Sequence, residues 1–306
     1  YGSLRIDSRK KDVRKVYQEN GNLFRFAEYF KDTQALLADT PDTALIQVLR
    51  HLEPIVVVDE SHNAESKLST EMLNNLNPSF VLDLTATPRK NSNIISYVDA
   101  RELKKEHMVK LPVVVYNRTT RQSVIQDAIQ LRGSIEQEAI AAEAAGGKYI
   151  RPIVLFQAQP RTGENSDTFD KIKAMLVSMG IPENQIAVKT SDVDDLKGQN
   201  LMSRDCEIRY IITVNALKEG WDCPFAYILA SLANRTSTVD VEQILGRILR
   251  QPYAMQHKSP LLNTSYVLTN SVDFHTTLEK IVAGLNKAGF SRKDYRIGEA
   301  MEEPQA

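Results

Sequence analysis

Residues 55–63 read IVVVDESHN, an apolar run that drives straight into two adjacent carboxylates, Asp59 and Glu60. Four apolar residues without alternation have the signature of a short strand buried on both faces, as in a parallel sheet. A carboxylate pair at the end of such an element is costly unless a cation or a strong hydrogen-bond network compensates it. A strand that simply stops in a solvated acidic turn is the plain alternative, and the rest of the chain must decide between the two.

On either side the pattern is regular. Upstream, LADTPDTALIQVLRHL holds a turn at Asp39 to Asp42 and then an apolar-periodic helix. Downstream, AESKLSTEMLNNL (64–76) reads as a helix and FVLDLTATP (80–88) as the next strand. Strand, helix and strand with short connections make a parallel β-α-β unit, whose ligands sit at the carboxyl ends of strands. KLPVVVYN (110–117) is a further strand, and QSVIQDAIQLRGSIEQEAIAAEAAGG (122–147) a long helix closed by Gly146–Gly147.

A second β/α series begins at YIRPIVLFQA (149–158). It runs through a helix (SDTFDKIKAMLVSMG), three strands (QIAVKT, IRYIITV, FAYILASL) and a helix (VDVEQILGRILR). SYVLT (265–269) and a helix from about Val272 to Ala288 close it. The expected organisation is α/β in two lobes with parallel sheets. Residues 1–117 form the first lobe, 118–148 a helical connector, 149–290 the second lobe and 291–306 a tail or linker.

With 306 residues, 42% of them hydrophobic, the chain can bury a large core; its net charge of −1 excludes a uniformly basic body. Basic runs such as RKKDVRK (9–15) and RELKKEHMVK (101–110) read as solvated faces. Cys206 and Cys223 are too few for a disulfide framework or a zinc site and fit a reducing cytoplasm. No apolar run approaches a membrane span and no signal-peptide pattern opens the chain. It begins YGSLRID rather than with Met, so a piece of something longer is expected.

Four features line up in order: DESH (59–62), LTATP (84–88), VNALKEGWDCP (214–224) and QILGRILR (243–250). Each has a bland reading, respectively an acidic turn, a polar strand end before proline, a turn on Gly220 and an amphipathic helix. Gly246 inside that helix costs about 1 kcal/mol against Ala and asks for a reason. Together and in this order they resemble the superfamily 2 helicases and translocases, built from paired RecA-like lobes of the P-loop NTPase type. DESH resembles motif II, LTATP motif III, RPIVLFQAQ motif IV, NALKEGWD motif V and QILGRILR motif VI. The second lobe is most similar to the helicase-translocase (Res) subunit of type III restriction-modification systems.

The resemblance implies ATP and Mg²⁺ as cofactors. Asp59 would hold Mg²⁺ through its water shell and Glu60 would orient or deprotonate the attacking water. Both carboxylates would belong to the metal site, which answers why a buried strand should end on them. Arg247 and Arg250, three apart on one helix, would point the same way and act as arginine fingers. Gln243 would sit near the γ-phosphate. Gly246 would permit close approach, and Gly220 and Asp222 would line the nucleotide cleft, touching the ribose or the arginine fingers. His62, Thr85 and Thr87 would couple closure to movement. Nucleic-acid contacts would fall near Gln157, Arg161, Thr190 and Thr213 and go mainly to phosphate. Trp221 could offer a base-stacking platform, but packing under the motif V turn is the better reading.

One family element has no counterpart. No G-x-x-x-x-G-K-[ST] loop precedes Asp59, since Gly2 and Gly21 do not fit. The first lobe is therefore expected to be incomplete at its start, and this piece alone inactive or weakly active. Nor does FSRKDYRIGEAMEEPQA at the end leave room for the nuclease domain of the parent endodeoxyribonuclease. Expected partners are double-stranded DNA and a methyltransferase or specificity subunit, in a bacterial or phage cytoplasm, with no membrane. The competing readings are another superfamily 2 helicase acting on DNA or RNA without a nuclease, and a non-catalytic scaffold.

Overall fold

The computed structural model describes residues 16–18, 36–59, 67–85, 93–98, 100–159, 168–214, 221–232, 246, 248–270, 279 and 292–298. They fall into two units, Tyr1–Tyr97 and Val98–Ala306.

In the first unit, helix α1 (Leu45–His51) carries Arg50 and His51 in its last turn, where positive charge complements the helix dipole. Strand β1 (Ile55–Asp59), helix α2 (Lys67–Asn75) and strand β2 (Phe80–Leu84) follow. β1 and β2 pair in parallel, from Ile55 opposite Phe80 to Asp59 opposite Leu84. A small core of Val16, Ala44, Ile46 and Leu76 holds the unit. The buried Gln47 amide supports it by bonding the backbone of Leu37 in both directions and the carbonyl of Thr40. Arg50 Nη1 donates to the last carbonyls of α2, Asn74 and Asn75, both at 3.1 Å, satisfying groups that a helix end leaves orphaned.

The second unit is built on a parallel seven-stranded sheet in the order β5-β6-β4-β7-β8-β3-β9. Its strands are β3 (Val113–Asn117), β4 (Ile153–Gln157), β5 (Ile186–Lys189), β6 (Tyr210–Thr213), β7 (Ala226–Ser231), β8 (Ser265–Thr269) and β9 (Tyr295–Ile297). Helices α3 (Ala100–Lys105), α4 (Arg121–Ala144) and α5 (Phe169–Ser178) are interleaved with them. The α/β class with parallel sheets is thus the one expected. β4, β7 and β8 are buried along their whole length, as continuous apolar runs in a central parallel sheet should be.

α4 starts where Thr120 Oγ1 accepts from the amide of Ser123 at 3.0 Å, an N-cap. It ends in a Schellman arrangement: Gly147 donates to Ala142 and Gly146, at φ +86°, donates to Glu143. Val124, Ala128, Leu131, Ile135 and Ala139 make its buried stripe, and the helix lies against β4, β7 and β8.

Three boundaries differ from those expected. β3 pairs with β8 and β9, so residues 113–117 belong to the second unit and the division falls between 97 and 98 rather than at 117. α4 is a layer of that unit's core rather than a connector, because its apolar stripe is longer than any exposed linker needs. Tyr295–Ile297, read as part of a tail, forms the edge strand β9. The ion pair of Lys104 on α3 with the buried Asp294 fixes its start.

The IVVVD stretch also departs from expectation. Its burial alternates, with Ile55, Val57 and Asp59 exposed, because β1 has one neighbouring strand among the described residues and its small core lies on one side.

Candidate functional site

At the carboxyl edge of the first unit's sheet, the parallel register sets Asp59 opposite Leu84, one residue before Thr85. The carboxylate of DESH and the first threonine of LTATP are therefore brought together, 26 residues apart in sequence. Asp59 is exposed and Thr85 half-buried. Glu60, His62 and Thr87 lie outside the described residues.

The second unit ends its strands on a polar row. Following the registers across the sheet, Lys189, Thr213, Gln157, Ser231, Thr269 and Asn117 stand side by side. Ser231 Oγ donates to Gln157 Oε1 at 3.0 Å. Thr190, just past β5, accepts the amides of Asp192 and Val193 through its hydroxyl. Gln157, Thr190 and Thr213, expected near nucleic acid, are thus gathered at one edge, but all three are buried. Arg161 lies outside the described residues. The row emerges only with the strand bounds of the structure, where VVVYN, IVLFQ, IAVK, YIIT, AYILAS and SYVLT each end in a polar residue.

Asp222 and Arg250 occupy the opposite edge. Asp222 comes four residues before β7, and Arg250 forms an isolated antiparallel bridge with Val109, four residues before β3. A five-residue strand spans roughly 17 Å, so the polar row and this pair are separate places. The Arg250 guanidinium makes an ion pair with Asp222 Oδ2, each side chain about half exposed. Of the two partners open to Asp222, the ribose or an arginine of QILGRILR, the chain itself supplies the arginine.

Its geometry corrects the expected one. Gly246 and Ile248 are helical, but Leu249 and Arg250 are not. Ile248 and Leu249 are buried, which draws the chain into the core, and Arg250 then runs beside Val109 instead of continuing a helix from Arg247. Gly246 is exposed, and a Cβ added to it would meet no atom within 4 Å, so no close approach among the described residues explains the glycine. Gly220, Gln243 and Arg247 lie outside the described residues. Trp221 is half-buried and packs on the main core, in keeping with the packing role.

Beneath the Asp222–Arg250 pair sits a residue not anticipated at all. Lys110, the last of the basic run RELKKEHMVK, is completely buried. Its Nζ donates to the carbonyls of Pro224 at 2.8 Å and Arg250 at 2.5 Å and lies 4.4 Å from the centroid of the Tyr227 ring. Burial lowers its pKa to about 7, against the opposing pull of Cys223 and Asp222. Burial in turn pushes the Cys223 thiol up to about 11, so this cysteine is an inert, neutral neighbour. Arg151 is the second buried cation. Its guanidinium donates to the carbonyls of Ile208, Ser203 and Leu201 at 3.0, 2.7 and 2.6 Å, pinning the segment before β6. Nothing in a single sequence marks either residue, because a Lys or Arg beside a strand ordinarily reads as solvated.

Mg²⁺ keeps several waters and takes one or two carboxylates besides its phosphates. An exposed carboxylate at a strand's carboxyl end, Asp59, fits that demand. Among the described residues no group of three or more His, Cys, Asp and Glu could hold a metal. No helix among them is long and apolar enough to cross a membrane.

Residues 6–90 match the family model described as Type III restriction enzyme, res subunit. The resemblance to superfamily 2 helicases of the Res kind holds over this segment, less than a third of the chain. No curated protein matches the chain. Solved structures similar to it include the ATP-dependent Type ISP restriction-modification enzyme LlaBIII bound to DNA, at 13% identity and TM-score 0.48, covering 80% of this chain and 21% of that one. A fragment described as an HsdR subunit of a type I restriction enzyme from Vibrio vulnificus is 15% identical at TM-score 0.48, covering 88% and 55%. Dbp5 of S. cerevisiae bound to RNA and ADP BeF3 is 14% identical at TM-score 0.44, covering 84% and 64%. The chain spans about a fifth of the first of these and about half of the second.

Proposed function

We propose that this chain is part of the ATP-driven DNA translocase of a type III restriction enzyme, coupling ATP hydrolysis to movement on duplex DNA. The observation that carries the reading is the pairing of β1 with β2, which sets Asp59 beside Leu84 and Thr85 at a carboxyl edge, where parallel α/β sheets receive their ligands. The Res family match over residues 6–90 supports it.

In this reading Asp59 holds Mg²⁺ through coordinated water, and the metal neutralises charge on the phosphates. Glu60, the next residue, orients or deprotonates the attacking water. Arg247 and Arg250 supply positive charge to the γ-phosphoryl oxygens, with Gln243 beside them and Asp222 restraining Arg250 through the observed ion pair. Gly220 and Gly246 serve the nucleotide cleft, and His62, Thr85 and Thr87 link its closure to movement. Gln157, Thr190 and Thr213, gathered at the other edge of the second unit with Arg161 following in sequence, serve nucleic acid. Because these three are buried, their part is to support that edge, with direct phosphate contacts left to neighbouring loops. A methyltransferase subunit would supply the DNA site.

ATP hydrolysis by the full-length protein, with and without duplex DNA, tests the reading. Turnover stimulated by duplex DNA is expected, and Glu60→Gln should abolish it while sparing ATP binding. Near-normal turnover in Glu60→Gln would remove the role given to that residue. Stimulation by RNA and not by DNA would favour a superfamily 2 RNA helicase instead.

A further inference from the structure

A fully buried lysine with no carboxylate hydrogen-bonded to it among the described residues needs an explanation. An apolar side chain of the same length would fill the space without desolvating a charge. What Lys110 provides that an apolar residue cannot is hydrogen-bond donors, and two of them go to backbone carbonyls of the segments that carry the Asp222–Arg250 pair. One belongs to Pro224, two residues after Asp222, and the other to Arg250 itself. The Tyr227 ring closes the ammonium's remaining side.

The lysine's own backbone is fixed as firmly. Its amide donates to the carbonyl of Leu249 at 2.5 Å, and the amide of Gln251 donates to Met108 at 2.9 Å. The buried Ser265 hydroxyl lies within hydrogen-bond distance of the carbonyls of Lys110 and Ile248, at 3.2 and 3.1 Å. Segments 107–112, 221–225 and 248–251 thus meet at one ammonium group.

We infer that Lys110 is a positioning residue for Arg250: by tying the carbonyl of Arg250 to that of Pro224, it holds the guanidinium against Asp222 at the surface. Arg250 sits exposed on a non-helical segment between the buried Leu249 and Gln251, so its direction is not set by a helix. The exposed ion pair cannot set it either, because two half-exposed charges in water hold each other weakly. The buried clamp has the required stiffness, since breaking it would leave two carbonyls without their donor. That this positioning serves catalysis rests on the proposed ATPase reading; the positioning itself does not.

The test uses Lys110→Met, which keeps length and volume. In the 306-residue chain, the Nε–Hε signal of Arg250, assigned by its loss in Arg250→Gln, should stand apart from those of free arginines and move to the free position in Lys110→Met. An unchanged signal in Lys110→Met, or a signal already at the free position in the unsubstituted chain, would overturn the inference. Should Lys110→Met fail to fold, Lys110→Gln reaches at most one of the two carbonyls and should shift the signal part of the way; no shift there overturns it equally.

In the full-length protein, Lys110→Met should lower kcat by up to about 10²-fold, the scale of a misplaced catalytic group, with KM for ATP unchanged. The double variant with Arg250→Gln should be no slower than Arg250→Gln alone. Losses that multiply would mean Lys110 acts independently of Arg250, against the inference. If the unsubstituted protein has no ATPase activity, the proposed function fails, while the Arg250 signal still decides the role of Lys110.

Discussion

The two sheets of this protein start from nearly the same strand and finish in opposite surroundings. β1 reads IVVVD and β4 reads IVLFQ. β4 is buried at every position, between β6 and β7 and under α4. β1 leaves Ile55 and Val57 exposed, with β2 as its one partner strand among the described residues. An apolar run therefore encodes extended backbone and a preference for parallel neighbours, whereas burial is conferred by what stands on each side. The same holds for charge. Asp59 ends β1 in the open, while Lys110 and Arg151, equally charged and equally close to strands, are enclosed by the larger sheet.

Arg151 gives the largest expected contrast. Arg151→Leu strands the buried carbonyls of Ile208 and Leu201 at about 1–3 kcal/mol each and removes one of the two donors to Ser203, so a loss of roughly 3 kcal/mol or more is expected. Urea unfolding followed by the fluorescence of Trp221, the chain's single tryptophan and a reporter on the second unit, measures it. A loss below about 1 kcal/mol, the scale of a surface change, would mean that water replaces the guanidinium and that the enclosure is looser than drawn.

A matched pair of truncations tests the two strands directly. Ile153→Ala in β4 should cost about 2–5 kcal/mol, while Ile55→Ala, on a side chain 69% exposed, should cost under about 1 kcal/mol. Urea unfolding followed by far-ultraviolet circular dichroism gives both. Equal losses would break the comparison, since Ile55 would then be covered in solution.

The gentlest expected effect, unit by unit, is a drift with pH. Lys110 titrates at about 7 when folded against 10.5 ordinarily. Between those values the unfolded chain binds more protons than the folded one, so this residue's contribution to stability rises with pH. Its penalty is greatest below about pH 7 and fades as pH approaches 10.5. Relative to Lys110→Met, the unsubstituted chain should gain stability from pH 7 to 9, by at most about 1.4 kcal/mol per pH unit. Asp222, Cys223 and His257 stand close enough to modulate the slope. A gap that is flat or closes in the other direction would mean Lys110 stays charged.

Much of the organisation was legible in advance, and the misses share a cause. The short apolar runs, the Gly146–Gly147 helix end and the parallel pairing of IVVVD with FVLDL could all be read, because each rests on local pattern or on a short connection. β9 escaped because Tyr295–Ile297 is too short to show alternation and exists only where β3 offers an edge. The boundary at 117 was wrong because VVVYN carries no mark of which sheet it joins. The pattern of VDVEQILGRILR puts Arg250 at the end of a helix, yet Leu249 and Arg250 are not helical and the buried Ile248 and Leu249 carry the chain into the core. The Asp222–Arg250 contact is one of the two alternatives, ribose or arginine fingers, that the motifs leave open for Asp222.

By itself the sequence determined the α/β class and the strand-end positions of Asp59 and Thr85, both written in neighbouring residues; the Res likeness, read on the second lobe, is matched by the family model over residues 6–90 instead. Only tertiary structure decided that β3 and β9 join the second unit, that β1 stays half-open and that Lys110 lies beneath Arg250. The physical reason is that the first and the last depend on segments more than 100 residues apart meeting at one sheet edge or one buried donor, and the second on which strands flank β1. Local propensity carries no term for either.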